Sequence, residues 1–206
     1  FGVEADLHRK GLHFESRSAL RLERLMEIIE ESDPDYLVVL GDLKHMIPYV
    51  TRQEKAEMPQ ILKTIRRETE FRLAPGNHDT GLEHYLMQDE LLPASGAVID
   101  GTGYFHGHMI PDESLFGHLS VCGHHRPVVN LYDDVGCALR GTPGDLLAEV
   151  DTKAWTDVQT ESPTRVLLVP AFYEPAGGMD VRLLPGSKVS PIATPIRPDP
   201  GQVFLT

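Results

Sequence analysis

The stretch that most constrains the fold is Tyr36-Leu37-Val38-Val39-Leu40, an uninterrupted apolar run with Ser32-Asp33-Pro34-Asp35 before it and Gly41-Asp42 after it. A run of this length between turn residues predicts a strand buried on both faces, the kind found in parallel sheets covered by helices. Upstream, Leu22, Leu25, Met26 and Ile29 recur at helical spacing, while Glu23, Arg24, Glu27 and Glu30 occupy the rest of that helix. Residues 1–7, short and partly apolar, read as a strand, which makes the opening β-α-β. A second helix is expected to open near Pro59 and to turn Ile61, Leu62 and Ile65 inward, followed by a strand at 70–74. The alternation then breaks down into short strand-like pieces at 97–99, 103–105, 119–122 and 128–131. The last third keeps one strong strand at 165–169. Beyond it, Gly177-Gly178 and five prolines between Pro185 and Pro200 predict an irregular wrap over 171–206 with a terminal strand at 203–205. The residues alone support one α/β domain over 1–206.

Composition narrows the function. Hydrophobic residues make up 41% and charged residues 24%, as in ordinary globular proteins, so disordered and fibrous classes drop out. The formal charge of −12 opposes passive coating of nucleic acid. No apolar stretch approaches the roughly 20 residues of a membrane span, so no membrane partner is expected and a cytoplasmic location is the reading. Cys122 and Cys137 have neither disulfide-framework nor metal-knuckle spacing and read as buried apolar residues. Histidine is the informative residue: all ten lie between His8 and His125.

Most of these histidines fall in short clusters just after expected strands, where open α/β sheets bind their ligands. Asp6-Leu7-His8 would place a carboxylate and an imidazole on one side of an extended chain. Gly41-Asp42 follows the apolar strand. Gly76-Asn77-His78-Asp79 packs an amide oxygen, an imidazole and a carboxylate together. His106-Gly107-His108 and Gly123-His124-His125 follow two of the later strands. Each cluster alone is as readily a surface pair or a plain turn. Together, carboxylates, an amide oxygen and imidazoles suit manganese, iron(II), zinc or cobalt, in a number adequate for two ions sharing a carboxylate.

In this order the clusters resemble the calcineurin-like metallophosphoesterases, whose motifs run D-x-H, G-D, G-N-H-[DE], H-G and G-H-x-H. The resemblance spans residues 1–191. Gly41-Asp42-Leu43-Lys44-His45, Pro170-Ala171-Phe172, Gly177-Gly178 and Ser190-Pro191 look like the archaeal and bacterial branch of small phosphoesterases similar to the cyclic-nucleotide phosphodiesterase of enterobacteria. The resemblance implies a four-layer α/β/β/α sandwich of two mixed sheets flanked by helices. It also implies two divalent ions, manganese first, with iron, zinc, cobalt or nickel as alternatives. Asp6 and His8 would hold the first, Asp42 would bridge both, and Asn77, His106 and His124 would complete the second. A metal-bridging hydroxide would attack phosphorus, with His78 as general acid and Asp79 orienting its ring. His45 and His108 would line the substrate pocket. The expected substrate is a phosphodiester, either a nucleotide or a nucleic-acid end. A homodimer and an association with DNA-repair helicases or ligases follow from resemblance alone.

One position departs from the pattern. The last motif reads Gly123-His124-His125-Arg126, so Arg126 stands where the fourth ligand of the first ion belongs, and a guanidinium has no lone pair to give. Arg126 would either aim at the substrate phosphate or mark a decayed site. The rival function is therefore a single-metal or non-catalytic relative acting as a binding or scaffold protein. The H-x-H-x-D-H signature of metallo-β-lactamase-type hydrolases is absent, since His106-Gly107-His108 continues as Met109-Ile110.

Overall fold

The computed structural model describes residues 1–158, 160–173, 176–197 and 201–205, apart from the side chains of residues 137 and 138. The expectations for Cys137, Pro198 and Pro200 lie outside the described residues. The chain divides into two compact units, residues 1–92 and 93–206.

The first unit contains helices α1 (Val3–Arg9), α2 (Ser18–Ser32) and α3 (Arg52–Glu68) and strands β1 (Tyr36–Val39) and β2 (Glu70–Leu73). β1 and β2 pair in parallel, in register from Tyr36 opposite Glu70 to Val39 opposite Leu73. α2 ends as expected, at Asp33 in the left-handed conformation. Its apolar residues Leu22, Leu25 and Met26 pack against a core of Met58, Ile61, Leu62, Ile65, Phe71, Leu73 and Leu82. Each fully buried aliphatic side chain there contributes roughly 1.5–3 kcal/mol.

Three local expectations change. The opening is the helix α1, not a strand. Its residues are mostly good helix formers, Glu4 and Asp6 sit in the first turn, His8 and Arg9 in the last, and Asp6 pairs with Lys10 at 2.7 Å one turn on. β1 is half-buried, with Tyr36 exposed, because among the described residues it has a strand neighbour on one side only. α3 opens at Arg52, ahead of Pro59, because Thr51 and Glu54 form a reciprocal capping box that satisfies two backbone donors.

The second unit holds one mixed sheet in the order β3 (Ala97–Ile99), β4 (Thr102–Phe105), β5 (Leu119–Cys122), β8 (Arg165–Leu168), β7 (Gly136–Glu149), β6 (Pro127–Asp133) and β9 (Met179–Asp180), with β10 (Gln202–Leu205) paired to β7. β4, β5 and β8 run parallel. β7, the longest strand, is legible only from its partners, since Gly136, Gly141, Pro143 and Gly144 are poor strand formers and β6, β8 and β10 hold it by pairing. The expected wrap contributes to the core: Leu184, Ile192, Ala193 and Ile196 are at most 2% exposed. Among the described residues no helix is long and apolar enough to cross a membrane.

Candidate functional site

In the first unit, the parallel pairing of β1 and β2 brings their carboxyl ends to one edge, and the amide of Ala74 continues the pairing by donating to the Val39 carbonyl at 2.9 Å. Gly41-Asp42 leaves one strand there and Gly76-Asn77-His78-Asp79 the other. Gly41 and Asp42 both have positive φ, 80° and 55°, a turn that glycine makes at little steric cost and that Asp tolerates. This sharp exit is held by Asp79. Its Oδ2 accepts from the amides of Asp42 and Gly76, each at 2.8 Å, and its Oδ1 from the amide of Lys44 at 3.3 Å. Burial pushes the Asp79 carboxyl above its ordinary pKa, against the pull of those three amides.

The bonds of Asp79 therefore go to backbone amides, and a carbonyl orients the His78 ring: its Nδ1 donates to the carbonyl of His45 at 2.5 Å. The His78 amide donates to Asp42 Oδ1 at 3.2 Å, and its Nε2 lies 3.9 Å from Asp42 Oδ2. The loop that supplies the His45 carbonyl is fastened by two buried residues, Glu54, which sequence reasoning left aside, and Lys44, a second-tier candidate beside His45. Glu54 accepts from the amides of His45, Met46 and Thr51, at 3.0, 3.1 and 2.7 Å. Lys44 is fully buried, and its ammonium donates to the carbonyls of Met46 and Tyr49. The Thr51-x-x-Glu54 spacing was the legible signal for Glu54, and for Lys44 it was the run Gly41-Asp42-Leu43-Lys44-His45, which did not reveal the bonds its ammonium makes.

Asp6 and His8 are two residues apart on a helix, which turns them about 200° from one another. Asp6 faces Lys10, with His45 Nε2 at 3.6 Å. The ring of His8 closes the following loop instead: its Nε2 lies 2.8 Å from the Phe14 carbonyl and 3.2 Å from the Phe14 amide, bonding to one or the other according to tautomer. The strand-end placement expected for this pair is thus replaced by a helical one.

In the second unit, β4 and β5 are parallel neighbours with Phe105 opposite Cys122, so His106 and His124 emerge side by side. His124 Nδ1 is 2.9 Å from His106 Nε2, and the amides of Gly123 and His124 both donate to the His106 carbonyl. Gly107 makes this approach feasible. With φ at 110°, a Cβ there would run into the Sγ of buried Cys122. The His108 ring centre is 5.2 Å from that of His106. His125, by contrast, is buried and committed elsewhere: its Nε2 is 2.5 Å from Ser190 Oγ, and burial, followed by the neighbouring His124 and His106, brings its pKa down to about 4. Arg126 adopts φ 49° and donates to the Ala176 carbonyl at 3.3 Å, while its own carbonyl accepts from Met179.

The family model of the calcineurin-like phosphoesterases matches residues 1–181. The chain belongs to this family. It is accordingly a metal-dependent phosphoric ester hydrolase of mixed α/β fold with two sheets. Among solved structures it is similar to the nuclease MPE of Pseudomonas putida, at 21% identity and a TM-score of 0.52, covering 86% of this chain and 76% of the other. It is also similar to YfcE, a phosphoesterase from E. coli, at 19% identity and a TM-score of 0.37, covering 55% of this chain and 66% of the other. The first likeness shows a shared fold. A comparison with curated proteins gives no match.

The donors in the two units fit the divalent ions that such a hydrolase uses. Asp42 brings a carboxylate and Asn77 an amide oxygen at the strand ends of the first unit. The second unit brings two imidazole nitrogens that already face one another across 2.9 Å. Imidazole with carboxylate and amide oxygen suits manganese, iron(II), zinc or cobalt.

Proposed function

We propose that this phosphoesterase hydrolyses a phosphodiester, a nucleotide or the end of a nucleic acid, with manganese as its metal. One ion would be held by Asp42, Asn77, His106 and His124, following the family pattern, and a second would share Asp42. Bound ions would supply a lowered pKa for water and charge to draw on the phosphoryl oxygens. His78 protonates the departing alkoxide from Nε2 while Nδ1 keeps its bond to the His45 carbonyl. Asp79 holds the turn that carries Asp42, and His45 and His108 would meet substrate oxygens beside their respective clusters. The observation that carries the reading is the fixed His78 ring: a carbonyl fastened through Glu54 orients one nitrogen and leaves the other beside Asp42.

Asp6, His8 and Arg126 do not add to this set as placed, because Lys10, Phe14 and Ala176 engage them. This favours, as a second reading, a hydrolase that binds one ion tightly. Calorimetric titration of metal-stripped protein with manganese, checked by elemental analysis, separates the two. Two tight ions support the binuclear site, one ion supports the second reading, and none refutes both. Bis(p-nitrophenyl) phosphate has a leaving group that departs without a proton and should be hydrolysed with little dependence on His78, so an alkyl phosphodiester is the second substrate, and hydrolysis of it that does not depend on His78 would refute the general-acid assignment.

A further inference from the structure

We infer that the loop after α1 is a docking surface for single-stranded nucleic acid, an inference that rests on the phosphodiesterase reading and gives its substrate a polynucleotide form. Residues 8–17 are exposed without interruption. They carry Arg9, Lys10 and Arg17 against Glu15, a formal +2 in a chain whose total is −12. Lys10 is paired with the carboxylate of Asp6, and the guanidiniums of Arg9 and Arg17 carry the loop's remaining positive charge. Arg52 adds a third from the start of α3, where it lines the same hollow. Local reversal of sign in an acidic protein is what a polyanion needs in order to approach at all.

The loop is also shaped for bases. His8, His13, Phe14 and Arg52 line an open hollow of about 700 Å³, and its wall is largely apolar. Phe14 is 54% exposed, and the rings of His8 and His13 stand 5.1 Å apart. Aromatic faces among cations are the arrangement on which unpaired bases stack while their phosphates are neutralised alongside. The surface is prearranged, because the His8 ring ties to the backbone of Phe14 and the amide of Leu12 donates to the Leu7 carbonyl at 2.9 Å. It is continuous with the loop that bears Asp42 and His45: Arg9 donates to the Tyr49 hydroxyl at 2.9 Å and reaches Met46 Sδ at 3.2 Å. Tyr49 is itself half exposed and extends the aromatic surface toward that loop. Duplex DNA, with its bases stacked inward, would gain only the electrostatic part.

The test is fluorescence anisotropy of the manganese-loaded full chain with phosphorothioate-backbone oligomers of equal length: oligothymidylate, oligouridylate and an abasic chain of the same charge. The expected result is that base-bearing oligomers bind at least about fivefold more tightly than the abasic one, as a stacked base contributes. Phe14→Ala should abolish that difference and Phe14→Tyr should retain it. Arg9→Ala should lower the slope of log K against log salt by about 0.7, one phosphate contact on a single strand. Equal binding of abasic and base-bearing chains, or binding indifferent to Phe14→Ala, overturns the inference. Hydrolysis of bis(p-nitrophenyl) phosphate should be unchanged in Phe14→Ala. If the wild type fails to hydrolyse that ester yet binds oligothymidylate through Phe14, the catalytic reading falls and the docking surface stands.

Discussion

Replacing Asp79 by Asn separates a carboxylate that fastens a turn from one that serves the His78 ring. In the wild type, three backbone amides point at Asp79, two at 2.8 Å and one at 3.3 Å, and the residue is 5% exposed. Hydrogen bonds to a charged acceptor are worth about 1.5–3 kcal/mol and those to a neutral one about 1. An Asn side chain whose oxygen takes the Oδ2 position keeps the bonds from Asp42 and Gly76 in their weaker, neutral form. Its NH2 then faces the Lys44 amide, leaving a buried donor unpaired at a cost of about 1–3 kcal/mol. Relief of the burial penalty, visible in the raised pKa of Asp79, offsets part of this. The net loss should be about 2–3 kcal/mol, which lowers a urea midpoint by about 1 M for a slope near 2–3 kcal/mol per M. Manganese affinity should fall about tenfold or more, because Asp42 hangs from the same turn. Turnover should fall by the same factor for esters with good and poor leaving groups. An unchanged midpoint, with loss confined to poor leaving groups, would refute the fastening role and restore the expectation that Asp79 acts on the imidazole.

Further outcomes follow from other buried contacts. Burial opposes the charge of Glu4, but Arg21, Gln53 and a backbone amide outweigh it and hold the carboxyl near 2 against an ordinary 4.5. Its stabilisation, about 3 kcal/mol, is present above pH 4.5 and lost as pH falls from there toward 2, so Glu4→Gln should flatten the acid limb of a stability-against-pH curve. Ser190→Ala removes a buried partner of His125 and should cost about 1–2 kcal/mol by thermal melting, with weaker metal binding at the adjacent His124. Gly107→Ala forces both a disfavoured φ and a collision with Cys122, and a melting temperature lower by about 10 °C is expected from a cost near 3 kcal/mol. An Ala variant that melts with the wild type would show that the backbone at Gly107 relaxes freely.

Local chemistry was legible in this sequence wherever one segment suffices to decide it. The helical spacing of Leu22, Leu25, Met26 and Ile29, the apolar run before Gly41, and the strands ending at Phe105, Cys122 and Leu168 all appear where the sequence indicates them, because side-chain period and turn residues are properties of a few neighbours. The motif order carried the family for the same reason. Three things needed the tertiary structure. Asp6-Leu7-His8 matches a motif by its letters, yet helix propensity and the Lys10 pair make it helical, and spacing alone could not reveal which partners its side chains would find. β7 is held by strands brought to it from distant parts of the chain, against its own glycines and proline. The jobs of Asp79, Glu54, Lys44 and Ser190 are fixed by which backbone groups and side chains face them across separations of up to 65 residues. A buried polar group must find a partner somewhere, and only the folded chain determines which one.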